Sequence, residues 1–169
     1  ADSPAGIGYT DVLYEGLRRA IDLPRVNAEF ETVSTPMLPR LVETLLGAYR
    51  ELRSERSELP ETPRLALVDV DGSPSVPEFR IICAGAREAG VEALHATLDE
   101  VEYDGSLLRV QGEPVHLVYR RALLEDLPEG DLIAAARDRR AAVVNPFRAR
   151  VANNKKLFAL LGDPRFAHL

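Results

Sequence analysis

The stretch Leu65-Ala66-Leu67-Val68-Asp69-Val70 decides the fold of this chain. It is a short and continuous apolar run, which is typical of a strand buried on both faces of a parallel sheet. A turn at Asp71-Gly72-Ser73 follows, then a helical pattern to about Ala89, and a second strand pattern at Val91 to Ala96. Gly90 stands where the end of a helix favours positive φ. Strand, helix and strand in this order predict a right-handed crossover between parallel strands.

A hairpin and further strands extend this unit toward the C-terminus. Asp104-Gly105 is a turn dipeptide between two short apolar segments, which is the usual signal of a hairpin. The remaining elements are predicted in the order hairpin, strand, helix, strand and helix, over residues 100–110, 115–119, 131–140, 142–144 and 153–161. We therefore expect an α/β fold with a Rossmann-like parallel sheet and an added hairpin.

Two helices are predicted ahead of this core. In the first, from Thr10 to Asp22, the apolar residues fall on one face, and the Thr10 hydroxyl is a candidate N-cap. The second has a strong apolar stripe from Leu38 to Leu52, and the Pro-rich residues 58–63 follow it as a stiff linker. These patterns divide the chain into a helical segment at 1–59, a Rossmann-like domain at 64–162 and a tail at 163–169.

The composition narrows the classes of function. The chain has 169 residues, a net charge of −6 and a pI of about 5.2, and this acidic balance disfavours binding to nucleic acid. Cys83 is the single cysteine, so an internal disulfide is impossible and a reducing compartment fits. The sequence has no signal-peptide pattern and no apolar run near the ~20 residues of a membrane span. We expect a soluble, cytoplasmic protein that acts away from membranes.

Polar residues follow three of the predicted strands, at the sheet edge where open parallel sheets bind ligands. These are Asp69, Asp71 and Gly72 after the first strand, Tyr119, Arg120 and Arg121 after the strand that follows the hairpin, and Asn145 after the last strand. An arginine there suits a carboxylate or a phosphate, because its planar fork donates two parallel hydrogen bonds. The alternative is that Arg120 and Arg121 form surface salt bridges with Glu125 and Asp126.

Other chemical motifs are weak. No glycine fingerprint of a dinucleotide site follows the first strand, and the chain has no phosphate-binding P-loop. The three histidines are scattered, and Cys83 on an apolar helix face is typical of a buried structural thiol. Asp11 and Glu15 lie on one face of the first helix, where acidic charge near a helix N-terminus is favourable.

Several segments together resemble one family. The opening Ala1-Asp2-Ser3-Pro4-Ala5-Gly6-Ile7-Gly8-Tyr9 is similar to the stretch that follows the Glu-x-Asn metal motif in circularly permuted ATP-grasp proteins, the relatives of glutathionylspermidine synthase. Val115-His116-Leu117-Val118-Tyr119-Arg120-Arg121 resembles the DLVYRR strand of their preATP-grasp domain. Asn145-Pro146-Phe147 and residues 154–161 resemble the segment that leads into the ATP-grasp domain. The matching segments cover roughly residues 1–10 and 64–162.

This resemblance implies part of an ATP-dependent carboxylate-amine ligase, which joins an acid to an amine through an acyl phosphate. ATP and Mg²⁺ would bind to the ATP-grasp domain of the same polypeptide, outside residues 1–169, so the chain would hold no cofactor and would be inactive alone. By the same resemblance, Arg120, Arg121 and Asn145 would hold an acidic small-molecule substrate, while Asp2, Ser3 and Lys155 would lie near the nucleotide and metal. The alternative is a stand-alone module that binds a small anion or a protein.

Overall fold

A computed structural model of the chain describes residues 6–21, 25, 35–123, 125, 127, 130–152 and 154–166. Within these residues the α-helices are α1 (Ile7–Ala20), α2 (Met37–Glu55), α3 (Val76–Glu88), α4 (Asp131–Arg137), α5 (Ala149–Ala152) and α6 (Lys156–Leu161). The strands are β1 (Leu65–Asp69), β2 (Ala93–Thr97), β3 (Val101–Tyr103), β4 (Leu108–Val110), β5 (Glu113–Pro114), β6 (Leu117–Arg120) and β7 (Ala142–Val144). Short 3₁₀ turns occupy Leu98–Glu100 and Pro164–Phe166.

Four of these strands form a parallel sheet in the order β2-β1-β6-β7. β1 is central, with Leu65 level with Ala93 on one side and with Leu117 on the other. The α/β class and the parallel sheet predicted from the sequence are confirmed. Helix α3 links β1 to β2, and the chain then returns past β1 to form β6, so the direction of the strand order reverses between β1 and β6.

The predicted hairpin forms a second, smaller sheet. Strands β3 and β4 pair antiparallel across the turn at Asp104 and Gly105, where Gly105 has a φ of 88°. A third strand, β5, pairs with β4 and was not predicted from the sequence, since Glu113–Pro114 carries no apolar pattern. The hairpin therefore belongs to a three-stranded meander that connects β2 to β6.

Two hydrophobic clusters cover the two faces of the parallel sheet. On one face α2 and α3 pack over β1, with Leu45, Tyr49, Leu67, Ile82 and Cys83 buried together. On the other face the meander and α4 pack over the alternate residues of the same strand, with Ala66, Val68, Leu108, Val110 and Leu132 buried. The alternation arises because successive side chains of a strand point to opposite faces. The helical segment at 1–59 thus shares a core with the sheet domain.

The structure of α1 corrects the predicted N-cap and shows which face of the helix is exposed. Gly6, with a φ of 84°, occupies the N-cap position, while Thr10 lies inside the helix and its hydroxyl donates to the Gly6 carbonyl at 3.2 Å. The Thr10 cap was therefore wrong. The apolar face of α1 points to solvent, with Leu13 69% exposed, whereas Gly8 on the opposite side is buried.

The C-terminal part also differs from the prediction. Of the helix expected over 153–161, Lys156–Leu161 form α6, and Asn153 lies outside the described residues. The short helix α5 at Ala149–Ala152 was not predicted. In the linker that precedes β1, the Pro60 carbonyl accepts a hydrogen bond from the Tyr49 hydroxyl at 2.5 Å, which holds the linker against α2.

Among the described helices, none is both long and apolar enough to cross a bilayer.

Candidate functional site

The candidate site lies at the carboxyl ends of β1 and β6, where the strand order reverses. In open α/β sheets such a reversal creates a crevice in which ligands bind. The crevice forms because the connections that follow the two neighbouring strands run over opposite faces of the sheet. The chain after β6 stays close to β1 at this point. The backbone amides of Arg121 and Ala122 donate to the Val68 carbonyl at 2.8 and 3.3 Å. This pairing fixes the direction in which the side chain of Arg121 leaves the sheet.

Arg121 forms a buried ion pair with Glu78 in the first turn of α3. The guanidinium Nη1 lies 3.4 Å from Glu78 Oε2, and each side chain is 2% exposed. The other carboxylate oxygen of Glu78, Oε1, accepts a hydrogen bond from the Gly8 amide at 3.1 Å. Glu78 therefore connects the sheet edge, through Arg121, to the first turn of α1.

Two aromatic rings enclose the Arg121 guanidinium. Its central carbon lies 5.3 Å from the centroid of Phe79 and 5.6 Å from that of Tyr119, distances typical of cation–π contacts. Burial raises the pKa of Tyr119. Phe79 and Tyr119 are 2% and 1% exposed, so the surroundings of the guanidinium exclude solvent, and a charge pair is stronger there than at the surface.

Arg120 leaves the same strand on the opposite face and is completely buried. Its Nε donates to the Asn145 carbonyl at 3.1 Å, and its Nη1 donates to the Ala122 carbonyl. The guanidinium also lies 5.5 Å from the ring centroid of Phe147. Arg120 thus joins the end of β6 to the segment that leaves β7.

Arg120, Arg121 and Asn145 lie at the same carboxyl edge of the sheet, but Arg120 contacts Asn145 and Phe147 on one face while Arg121 contacts Glu78 and Phe79 on the other. Both arginines are buried and not on the surface, and Glu125 pairs with Arg150 at 2.8 Å. The expected pairing of an arginine with Asp126 stays a prediction. Asp126 lies outside the described residues, as do Asp2 and Ser3. Lys155 is exposed and immediately precedes α6.

A small cleft opens at the carboxyl ends of β1 and β2. It has a volume of about 170 Å³, and its lining includes Asp69, Asp71, Gly72, His95, Thr97, Glu100 and Gln111. The Ser73 hydroxyl donates to Asp69 at 2.7 Å, which closes the turn after β1. Together with a hydrogen bond from the Val70 amide at 2.9 Å, this bond holds the carboxylate of Asp69 within the turn.

Glu100 organises the other wall of this cleft, and sequence reasoning missed it. Its carboxylate accepts from the Thr97 amide at 2.8 Å and from the Gln111 side chain at 3.0 Å. The Thr97 amide is the main cause of the lowered pKa of Glu100. Thr97 and Glu100 form a capping box, so the Thr-x-x-Glu spacing was the signal that could have revealed this arrangement.

The acidic, cysteine and histidine side chains of the described residues are the possible metal ligands of the structure. Across the described part of the chain, no three His, Cys, Asp or Glu side chains gather as metal ligands. The carboxylates nearest the candidate site already accept hydrogen bonds, Glu78 from Gly8 and Asp69 from Ser73.

Two larger depressions lie at the opposite, amino-terminal edge of the sheet. They have volumes of about 600 and 320 Å³, and both are lined by Arg64 and Glu92. Arg64 donates to Glu92 at 2.6 Å and to Glu113 at 2.5 Å. Ligands of open parallel sheets bind at the carboxyl edge, so we assign no ligand site to these two depressions.

The sheet order and the charged carboxyl edge define the chain as an α/β domain of the open, parallel-sheet class. Comparison with known proteins adds no narrower assignment, since no protein-family model matches the chain and no curated protein matches it.

Proposed function

We propose that this chain is the substrate-side, preATP-grasp-like portion of an ATP-dependent carboxylate-amine ligase. The observation that carries the proposal is the contact between Arg121 and Glu78 at the switch point of the sheet. At this position the arginine already holds a carboxylate, and that carboxylate comes from the protein itself. The resemblance of residues 115–121 and 145–147 to the permuted ATP-grasp family supports the same assignment.

An acidic substrate would take the place of the Glu78 carboxylate beside Arg121. Glu78 would keep its hydrogen bond from the Gly8 amide, so one of its two partners would remain after the exchange. The rings of Phe79 and Tyr119 would continue to enclose the guanidinium.

Activation of the acid belongs to a different part of the proposed enzyme. The family resemblance implies that ATP converts the carboxylate to an acyl phosphate before the amine attacks. That chemistry would take place on an ATP-grasp domain of the same polypeptide. The role of this chain is then to bind and orient the acid, with Arg121 as the positively charged group beside it. Arg120, on the opposite face of the sheet, would support the site by joining the end of β6 to the segment after β7.

Product formation by the complete reading frame that encodes this chain tests the proposal. With ATP, Mg²⁺, hydroxylamine and a panel of small mono- and dicarboxylic acids, we expect hydroxamate formation and ADP release that depend on the acid. Residues 1–169 alone, assayed in parallel, should release no ADP. The proposal fails if the complete polypeptide forms no hydroxamate, or if residues 1–169 turn over ATP by themselves.

The role of Arg121 has a separate test in the Glu78→Gln variant. The change removes the internal negative charge while its amide oxygen can still accept from Gly8. We expect glutarate to bind this variant about tenfold more tightly than the parent chain, as is typical of gaining a charged partner. Amide chemical shifts of Arg121 and Ala122 would report binding, with the uncharged diamide of glutaric acid as the matched control. Equal binding of the two ligands would remove Arg121 from the substrate site.

A second candidate function is a stand-alone module that binds a small anion or a protein. The observation in its favour is that Glu78 already pairs with Arg121 inside the fold. The charge of this arginine is therefore balanced without any bound nucleotide. Anion binding by the chain, together with no acid-dependent ADP release from the complete reading frame, would favour this second function.

A further inference from the structure

The sequence contains two Asp-Gly dipeptides, Asp71-Gly72 and Asp104-Gly105, and both lie in exposed turns. An aspartate before glycine can close a ring when the glycine nitrogen attacks the side-chain carboxyl carbon. Hydrolysis of that ring can leave isoaspartate, in which the main chain runs through the side chain. All four residues are exposed, so exposure does not distinguish the two dipeptides. The hydrogen bonds of the two carboxylates do distinguish them.

The carboxylate of Asp71 lies beside the nitrogen that would attack it. Its Oδ1 accepts a hydrogen bond from the Gly72 amide at 2.8 Å, so the carboxyl carbon, one bond beyond this oxygen, is close to the same nitrogen. A rotation of the peptide plane between the two residues turns the face of the amide toward that carbon. Reacting groups that are held next to each other in this way need little further rearrangement.

The turn after β1 leaves room for this rotation. Gly72 has a φ of 68°, and a Cβ built on it meets no atom within 4 Å. Because glycine has no side chain, it neither shields its own nitrogen nor restricts the adjoining peptide planes. The ring can therefore form without a clash at this position.

Asp104 is held away from the same reaction by three hydrogen bonds. Its Oδ1 accepts from the Ser106 amide and hydroxyl at 2.8 and 2.7 Å, and from the Leu107 amide at 2.8 Å. These bonds direct the carboxylate past Gly105, and ring closure would have to break them. The Ser106 hydroxyl, followed by the Leu107 and Ser106 amides, lowers the pKa of Asp104 to about 2. The protonated acid, from which an oxygen leaves most readily as water, is therefore scarce there.

Asp69 shows why the glycine matters. Its Oδ1 accepts the amide of the next residue, Val70, at 2.9 Å, as Asp71 does with Gly72. The branched side chain of Val70 crowds the nitrogen that would attack. The second oxygen of Asp69 also accepts the Ser73 hydroxyl at 2.7 Å. A suitably placed carboxylate and an unshielded nitrogen thus coincide at Asp71.

We propose that Asp71 is a site of spontaneous isoaspartate formation in the native protein, and that the turn of Asp104 protects that residue. In the first step the Gly72 nitrogen bonds to the Asp71 carboxyl carbon, and the amide proton leaves with the carboxyl hydroxyl as water. A cyclic imide remains. Water then adds to one of its two carbonyls: addition at the side-chain carbonyl restores aspartate, and addition at the main-chain carbonyl gives isoaspartate of unchanged mass.

Isoaspartate at this position changes the small cleft at the carboxyl ends of β1 and β2. The main chain gains the methylene of residue 71, and the former main-chain carbonyl becomes a free carboxylate. Asp71 and Gly72 belong to the lining of the cleft, and their turn connects β1 to α3. The modification therefore lengthens the connection that sets the start of α3.

Peptide mapping of the aged chain tests the proposal. Trypsin cleaves after arginine, so the two dipeptides fall in separate peptides, residues 65–80 and 88–109. After incubation of the folded chain near neutral pH, electron-transfer fragmentation locates isoaspartate, and an isoaspartyl methyltransferase quantifies it. We expect at least about tenfold more isoaspartate at Asp71 than at Asp104. Equal amounts at the two positions, or more at Asp69 than at Asp71, would overturn the proposal.

The unfolded chain is the matched control for sequence effects. In concentrated guanidinium chloride both turns are lost, and the two Asp-Gly dipeptides should then react at similar rates. A tenfold preference for Asp71 that persists in the denaturant would assign the selectivity to the neighbouring sequence and refute the structural argument.

The variant Ser106→Ala tests the protection of Asp104. It removes the hydroxyl donor and keeps the Ser106 amide. We expect isoaspartate at Asp104 to increase about fivefold, as for the loss of one hydrogen bond, while the amount at Asp71 stays the same. No increase at Asp104 would contradict the protective role of its turn.

Discussion

The carboxylate of Asp11 caps a helix to which it does not belong, by accepting the backbone amide of Met37 at the start of α2. Both oxygens accept from this amide, at 2.8 and 3.1 Å, and the second also accepts from Leu38 at 2.9 Å. The N-cap residue of α2 is Pro36, which offers no side-chain acceptor. Asp11 thus satisfies donors that a helix leaves unpaired at its first turn, and it does so across 26 residues of chain.

Replacement of Asp11 by alanine should therefore destabilise the fold even though the residue is on the surface of α1. We expect a loss of about 1–2 kcal/mol in the free energy of unfolding, as for the loss of a charged N-cap. Urea denaturation followed by circular dichroism measures it. Glu15→Ala, one turn further along the same helix, is the control and should change stability by less than about 0.5 kcal/mol. Equal losses in the two variants would contradict the capping role.

Gly8 and Gly16 should respond in opposite ways to alanine. At Gly8 a Cβ would lie 2.8 Å from Glu78 Cγ and 3.2 Å from the Glu78 carbonyl, so we expect a loss of about 1–3 kcal/mol. At Gly16 a Cβ meets nothing within 4 Å. Alanine there should stabilise the helix by about 0.5–1 kcal/mol. The thermal midpoints of the two variants, measured at low concentration, give the comparison, and a shift of equal sign would argue against the packing of α1.

The buried pair of Arg121 and Glu78 should be strongly coupled. Removing one partner leaves an uncompensated charge in a dry environment, and we expect Arg121→Met to cost about 3–5 kcal/mol. The double variant Arg121→Met with Glu78→Leu removes both charges and should cost less than the sum of the single changes. A double-mutant cycle in urea measures the difference, which we expect to be about 1–3 kcal/mol. Additive effects would show that the pair contributes nothing beyond its separate parts.

His116 should make the fold sensitive to mild acid. Its Nδ1 accepts the Arg64 amide at 3.2 Å, which requires a neutral ring, and burial is the main cause of its lowered pKa. Because the folded pKa lies below the unfolded value of about 6.5, protonation favours the unfolded state. Stability is therefore complete above that value and decreases as the pH falls through it toward the folded pKa.

The urea midpoint at pH 7.5 and at pH 5.5 tests this dependence. His116→Gln keeps a side-chain acceptor for the Arg64 amide and carries no titrating group. We expect the parent chain to lose more stability between the two pH values than this variant does. The same loss in both chains would assign the acid sensitivity to other groups.

The central sheet was predictable because β1 is buried on both faces and reads as an unbroken apolar run. The turn residues Asp104 and Gly105 identified the hairpin in the same local way. The orientation of α1 could not be predicted, since periodicity shows which residues share a face and not which face points inward. Gly8 forms the inner side because it allows the closest approach to Glu78, which a hydrophobicity pattern does not record.

At the candidate site, residue type and strand position predicted where the arginines would lie. Arg120 and Arg121 do lie at the carboxyl end of β6, beside the end of β1. Their partners could not be predicted, because Glu78 is 43 residues away and reads as a helix surface residue. Buried charge pairs depend on the three-dimensional approach of α3 to the sheet, for which a local pattern carries no signal.

The burial of Cys83 makes the chain a reporter of its own unfolding. The thiol is enclosed between α3 and the sheet, and burial raises its pKa, so little thiolate is present in the native state. A thiol reagent can therefore react only when the core between α3 and the sheet opens. The rate of labelling at this single position measures how often the central packing is lost, without any engineered probe.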